Sequence, residues 1–159
     1  MHPSAQRVQN ALTELGYSGQ VMELEASTRT AVEAAQAAGC EVGQIVKSLV
    51  FLLVTPEKPE GEPVLVLVSG TNRVHEKRLG RLLGGKLERA DAETVHEVSG
   101  FAIGGIPPVG HKRPLMTYID QDLLTYETIY AAAGTPNAIF PVAPAFLHKI
   151  AQAKQVCVT

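Results

Sequence analysis

The sequence predicts an α+β fold, a curved mixed sheet with helices around it, and three observations carry that class. Some segments repeat apolar residues at helical spacing while others crowd β-branched and apolar residues into short runs. The two kinds of segment follow one another without regular βαβ alternation. No repeat or low-complexity linker divides the chain, so its 159 residues are expected to form one domain, 1–159, large enough to bury a core without disulfide or metal staples.

The first element follows from Val8, Leu12 and Leu15, which recur at helical spacing after Pro3 and Ser4 and stop before Gly16. Residues 21–25 suit a short strand. Thr30 and Glu33 then form a T-x-x-E capping box ahead of an alanine-rich helix that ends at Gly39. Residues 45–54 are too short and too β-branched for a helix and apolar on both faces, which predicts a central strand. A turn over 55–62, with two prolines and Gly61, leads to a second strand at 64–68 and so to a long-looped hairpin.

Ser69-Gly70-Thr71-Asn72 breaks the strand pattern and predicts the cap of a basic helix over 73–83, ended by Gly84-Gly85. Asp91 predicts the cap of another helix through Val98, stopped by Gly100, before a loop with three glycines and two prolines. Strands are expected at 115–119, 127–132 and 138–142, with helix competing at 127–132 because of its alanines. A last helix over 144–153 begins with Pro144, and 156–159 is read as a tail.

Composition narrows the classes of function. Hydrophobic residues at 45% and charged residues at 19% exclude a disordered or fibrous chain. Only Cys40 and Cys157 occur, far apart, which suits a reducing compartment and predicts a cytoplasmic protein. The N-terminal residues 1–15 contain no export signal, and the longest apolar run, 49–54, is too short to span a bilayer, so no membrane partner is expected. The net charge of −2 excludes the broad positive field of a general nucleic-acid binder. Yet Arg73, Lys77, Arg78, Arg81, Lys86 and Arg89 fall within one stretch against only Glu76 and Glu88. That stretch reads either as a phosphate-binding patch or as an ordinary solvated helix face.

Three features could carry chemistry. Lys47 lies inside the strand Gln44-Ile45-Val46-Lys47-Ser48-Leu49-Val50-Phe51 and by alternation shares a face with Ile45, Leu49 and Phe51. Burying an ammonium there is costly unless a partner or an anion meets it, so a ligand-contacting lysine competes with one that snorkels at a strand end. The second feature is Gly104-Gly105-Ile106-Pro107-Pro108-Val109-Gly110-His111, whose glycines allow close backbone approach and whose prolines stiffen it. It is no nucleotide P-loop and no Rossmann turn; its backbone N–H groups suit holding a carbonyl or phosphate oxygen, and a purely structural tight turn is the competing account. The third is Ala133-Gly134-Thr135-Pro136-Asn137, a glycine-proline loop between two expected strands. The five histidines form no ligand-spaced pair with one another or with cysteine, so no metal and no cofactor are expected. No G-x-S-x-G elbow is present, which leaves positioning, backbone donors and a water or substrate hydroxyl to do the chemistry.

Four segments in register, Ile45-Val46-Lys47-Ser48-Leu49-Val50-Phe51, Val68-Ser69-Gly70-Thr71-Asn72-Arg73, Gly100-Phe101-Ala102-Ile103-Gly104-Gly105-Ile106-Pro107-Pro108-Val109-Gly110 and Ala133-Gly134-Thr135-Pro136, together resemble the YbaK/prolyl-tRNA-synthetase-associated editing domains. The resemblance runs from about residue 30 to 140. It implies a mixed, partly barrel-like sheet and hydrolysis of the ester of misacylated tRNA, with the mischarged tRNA 3′ end and an aminoacyl-tRNA synthetase as partners. It also implies a catalytic role for Lys47, at the phosphate or ester region of the tRNA 3′ end, and for Gly134, whose backbone would orient the ester carbonyl. Thr30, Gly104, Gly105, Ile106, Pro107, Gly110, His111, Thr135 and Pro136 are the expected substrate-binding residues. Arg73, Lys77, Arg78 and Arg81 are the expected tRNA phosphate contacts. Pro107 stands where some members carry serine, and Thr135-Pro136 follows the second loop's glycine, so the amino acid removed stays open. Two other readings stay open with it: a non-catalytic tRNA-binding or synthetase-associated module of the same fold, and a hydrolase of small nucleotide or acyl esters.

Overall fold

The computed structural model describes residues 1–159. Its elements in order are α1 (Pro3–Glu14), β1 (Met22–Glu23), α2 (Ala31–Ala38), β2 (Ile45–Val54), β3 (Glu62–Ser69), α3 (Glu76–Leu82), β4 (Lys86–Arg89), α4 (Ala92–Ser99), β5 (Met116–Asp120), β6 (Ile129–Ala132), β7 (Ala138–Val142), α5 (Pro144–Ile150) and β8 (Lys154–Val156). Short 3-10 turns occupy Val42–Gln44 and Gln121–Thr125. The mixed α and β class is as the sequence predicts. The strands form one sheet in the order β1-β7-β6-β2-β3-β5-β8, with β4 joined to β2. β1, β8 and the side branch β4 each keep a free edge, so the sheet stays open and the barrel-like character expected of it stops short of closure.

Helix ends are set by local chemistry. The Thr30 hydroxyl accepts from the Glu33 amide at 3.1 Å, and α2 ends at Gly39 in the left-handed region. Asp91 accepts from the Thr94 amide at 2.7 Å, and Gly100 closes α4 in the same conformation. The basic helix starts later than its sequence suggests: His75 is its N-cap, and Arg73 lies in the loop before it. The Asn72 side chain does not cap α3, because it donates instead to Asp120 at 2.8 Å and to Asp122 at 2.7 Å. At 127–132 strand prevails over helix: β6 pairs parallel with β2 and antiparallel with β7. The expected tail, 156–159, starts inside β8, which pairs parallel with β5.

β2 is the sheet's central strand, and its apolar character on both faces has a direct counterpart in the packing. Val46 and Val50 join Leu65, Leu67, Val8, Leu12, Val95, Phe140 and Leu147 in one core beneath α1, α4 and α5. Phe51 and Leu53 join Val64, Val66, Val68, Leu79, Leu87 and Val156 in a second core on the opposite face. Each such side chain contributes about 1.5–3 kcal/mol on burial.

The register of β2 contains one interruption. Along one side it pairs with β3 from Val46↔Ser69 to Leu53↔Glu62. On the other side β6 pairs only with Ile45 and Val46, and β4 only with Phe51–Val54. Between them, 47–50 have no neighbouring strand on that side. The sheet therefore forks around β2 and leaves a gap.

Candidate active site

A cleft of about 600 Å³ opens at this gap. Its floor is β2 itself, from Ile45 to Phe51, and its walls come from residues 28–31, Arg73 and Val74, Arg89 and Ala90, and Ile103, Gly104 and Ile106. Because the cleft crosses an open strand edge, it receives side chains from both faces of the sheet.

Lys47 is half-buried on its floor. Its Nζ donates to the Asn72 carbonyl at 2.5 Å. Burial lowers the Lys47 pKa below the ordinary lysine value, opposed by the buried Asp120 carboxylate and reinforced by Arg73. Asp120 organises this corner: its Oδ2 accepts from the Ser69 amide at 3.0 Å and from the Asn72 side chain at 2.8 Å. Its Oδ1 accepts from the Asp122 amide at 2.9 Å. The Ser69 hydroxyl in turn donates to the Gly43 carbonyl at 2.6 Å. Gly70 is needed in this turn because a Cβ there would lie 2.1 Å from the Val42 carbonyl oxygen. The turn that separates β3 from α3 thus aims a carbonyl at the lysine.

The two glycine loops meet each other behind the cleft wall. Gly104 and Ile106 line the cleft, and Gly104, at φ +100°, leaves room for the Arg29 side chain. Gly105 is buried against the second loop, where a Cβ would lie 2.7 Å from the Thr135 nitrogen. The Gly134 N–H donates to the Gly105 carbonyl at 2.8 Å. Gly134 itself, at φ +96°, packs under α1 with the Ser4 carbonyl 2.6 Å from where a Cβ would stand. The Pro136 carbonyl accepts from the Thr28 amide at 2.6 Å and the Thr28 hydroxyl at 3.0 Å, and Thr135 bonds Asn137 at 2.9 Å. The second loop therefore buttresses Thr28, next to Arg29 and Thr30 of the cleft wall.

His111 and Pro107 close the first loop on itself, with His111 Nε2 2.6 Å from the Pro107 carbonyl oxygen. Burial lowers the His111 pKa, partly offset by that backbone contact. Pro107, Gly110, His111, Gly134, Thr135 and Pro136 lie outside the cleft lining, whereas Lys47, Thr30, Gly104, Ile106 and Arg73 are on it.

Electrostatically the cleft mouth is positive. Arg29, Lys47 and Arg73 line it with no carboxylate in ion-pair range, while Arg89 is held by Glu76 at 3.1 Å. The expected phosphate patch divides: Arg78 donates to the Thr159 carbonyl at 2.7 Å, and Lys77 and Arg81 stay exposed on α3. Arg29, Asn72, Asp120 and Ser48 were not among the residues expected at the site. The Ser48 hydroxyl oxygen is buried and has no hydrogen-bond partner. No group of three His, Cys, Asp or Glu side chains is arranged to hold a metal ion.

The mixed sheet forks around a lysine-bearing strand, and a positively charged cleft lies in the fork. A family model for the aminoacyl-tRNA editing domain matches residues 25–150, and the chain belongs to that family. A solved structure of a candidate trans-editing enzyme for prolyl tRNA synthetase superposes with a TM-score of 0.91 at 51% identity, over 100% of this chain and 98% of that one. The uncharacterized protein YwhH of Bacillus subtilis (strain 168) is 28% identical over 152 residues, 95% of this chain and 93% of its own. A candidate Cys-tRNA(Pro)/Cys-tRNA(Cys) deacylase, EbsC, of Enterococcus faecalis (strain ATCC 700802 / V583) is 28% identical over 116 residues, 72% of this chain and 68% of its own. No helix is long and apolar enough to cross a membrane.

Proposed function

We propose that this protein is a trans-acting aminoacyl-tRNA deacylase that hydrolyses the ester of mischarged tRNA without a metal ion, as a single domain working in the cytoplasm. The observation that carries the reading is Lys47, a half-buried ammonium on the floor of a cleft, held by the Asn72 carbonyl and by no carboxylate. An ammonium so placed is a ready partner for an anionic substrate group. The family membership supplies the substrate class, and the likeness to a candidate trans-editing enzyme for prolyl tRNA synthetase supports action beside a synthetase.

In this reading Lys47 anchors the 3′ terminus through its phosphate, and Arg29 and Arg73 guide the acceptor end into the mouth. Water adds to the ester carbonyl, the bond to the ribose oxygen breaks, and free amino acid and uncharged tRNA leave. A hydroxyl of the terminal ribose can assist the proton transfer. Backbone donors stabilise the oxyanion, a contribution of roughly 2.7–4 kcal/mol per donor. Because the Gly134 N–H is bonded to Gly105, we assign Gly134 and Gly105 to fixing the wall that carries Gly104, Ile106 and Thr30.

The test is a deacylation screen against tRNAs mischarged with alanine, serine, threonine and cysteine, run with and without exhaustive chelation. Hydrolysis of at least one, undiminished by the chelator, is expected. Tight tRNA binding with no turnover on any of them would instead establish a non-catalytic module. Activity lost with the metal would overturn the metal-free mechanism.

A further inference from the structure

The fork in the sheet leaves backbone as well as side chains facing the cleft, and the register identifies which groups. The Ser69 N–H donates to Asp120, on the side of β5, so the Val46↔Ser69 pair exchanges no bonds across β2 and β3. Antiparallel pairs alternate, so Lys47↔Val68 and Leu49↔Val66 are the bonded pairs, and Ser48 turns both its N–H and its C=O away from β3. Pro63 opposite Leu52 fits the same alternation, since its missing N–H falls where β2 asks for none. β6 pairing ends at Val46 and β4 pairing begins at Phe51, so neither strand meets Ser48. No side chain or loop bonds its backbone groups either. A donor and an acceptor of one extended residue thus stand unpaired on the floor of the cleft, next to Lys47.

We propose that this edge reads the aminoacyl group as a one-residue strand: the Ser48 N–H donates to the ester carbonyl and the Ser48 C=O accepts from the α-ammonium. The proposal rests on the deacylase reading above and adds how its site holds the α-amino group and the ester carbonyl of the aminoacyl group. In an extended amino acid the α-nitrogen and the carbonyl oxygen point to one side, as in any strand residue, and an antiparallel bonded pair exchanges both bonds. The arrangement supplies the oxyanion donor that Gly134, bonded to Gly105, does not. It also sets the side chain's direction. Directly opposed residues share a face, so the substrate side chain falls beside that of Ser48, among Val46, Val50 and Ile106. The unpartnered Ser48 hydroxyl lies on that face. A peptidyl or N-acylated ester keeps only a neutral amide N–H at that position and brings a bulky acyl group against the strand, so it is disfavoured.

Two measurements test this. Alanyl-tRNA, lactyl-tRNA, in which a hydroxyl replaces the α-ammonium, and N-acetyl-alanyl-tRNA are compared as catalysed rates divided by each ester's uncatalysed rate. Lactyl-tRNA is expected to fall roughly 10-fold and N-acetyl-alanyl-tRNA 100-fold or more, the scale of a lost charge-assisted hydrogen bond with and without added bulk. In amide correlation spectra, titration with the stable analogue 3′-alanylamino-3′-deoxyadenosine should shift the Ser48 amide and protect it from exchange. Equal normalised rates on the three esters, or a Ser48 amide that stays put while Gly104 shifts, would overturn the strand-edge proposal and leave the deacylase reading intact. Hydrolysis of none of these esters and of none of the seryl-, threonyl- and cysteinyl-tRNAs of the screen would remove both.

Discussion

At the scale of single residues, the site depends on a buried carboxylate that touches no substrate. Asp120 accepts three hydrogen bonds, from Ser69, Asn72 and Asp122, and through Asn72 fixes the carbonyl that holds the Lys47 ammonium. Asp120→Asn places an amide NH₂ against those donors and leaves at least one of them without an acceptor. Loss of about 1–3 kcal/mol of stability is expected, measured by urea unfolding. The same change removes the charge that opposes the fall in the Lys47 pKa, so the lysine should titrate lower still. Deacylation should then decline at a lower pH than in the parent. An unaltered pH profile in a folded Asp120→Asn variant would separate Asp120 from the lysine.

At the scale of elements, the two glycine loops act as one wall, and His111 is its titratable member. Its ring is partly buried, and that burial lowers its pKa from the ordinary value of 6.5. Below pH 6.5 the unfolded chain therefore takes up a proton that the folded chain does not, and the linkage sign makes folding weaker as pH falls from about 6.5 toward the depressed folded value. Thermal melts between pH 7.5 and about 5 should show this loss, and His111→Gln should flatten it. A parent and variant with parallel pH dependence would contradict it. What the sequence made legible at this scale was whatever is local: Thr30 with Glu33, Asp91 with Gly100, and the strand at 45–54 all follow from neighbours a few residues away. β4 stayed hidden because three of its four residues, Lys86, Glu88 and Arg89, are charged and only Leu87 turns inward. The basic helix began later than expected because Asn72, a fitting cap by type, is drawn to carboxylates nearly fifty residues away. Arg29, Asp120 and the open edge at Ser48 reach the site through strand register and loop packing, which no local pattern encodes.

At the scale of the whole molecule, a chain of net charge −2 places three cations without ion-pair partners, Arg29, Lys47 and Arg73, around one cleft. The sequence located the basic stretch; the fold sorts it. Arg78 is tied to the C-terminal residue, Arg89 to Glu76, and Lys86 lies 3.8 Å from Glu88, leaving Arg73 at the mouth and Lys77 and Arg81 on the exposed face of α3. If α3 lies along the acceptor stem, Lys77→Ala with Arg81→Ala should weaken tRNA binding. The slope of log affinity against log salt should fall by roughly 0.7–0.9 for each phosphate contact removed. A double variant with the parent's affinity and slope would make α3 a solvated surface.

In the proposed mechanism Lys47 anchors the reacting end of a mischarged tRNA. The measurement that meets it most directly is the single-turnover deacylation rate of Lys47→Ala beside the parent, on whichever mischarged tRNA the parent hydrolyses, with a thermal melt of each protein. A rate lower by at least about 100-fold is expected, the scale of removing one preorganised electrostatic contact from an active site. The melting temperature should fall by no more than a few degrees, since the ammonium is destabilised by its burial. A variant that deacylates at the parent's rate, or one that loses activity only because it no longer folds, would contradict it.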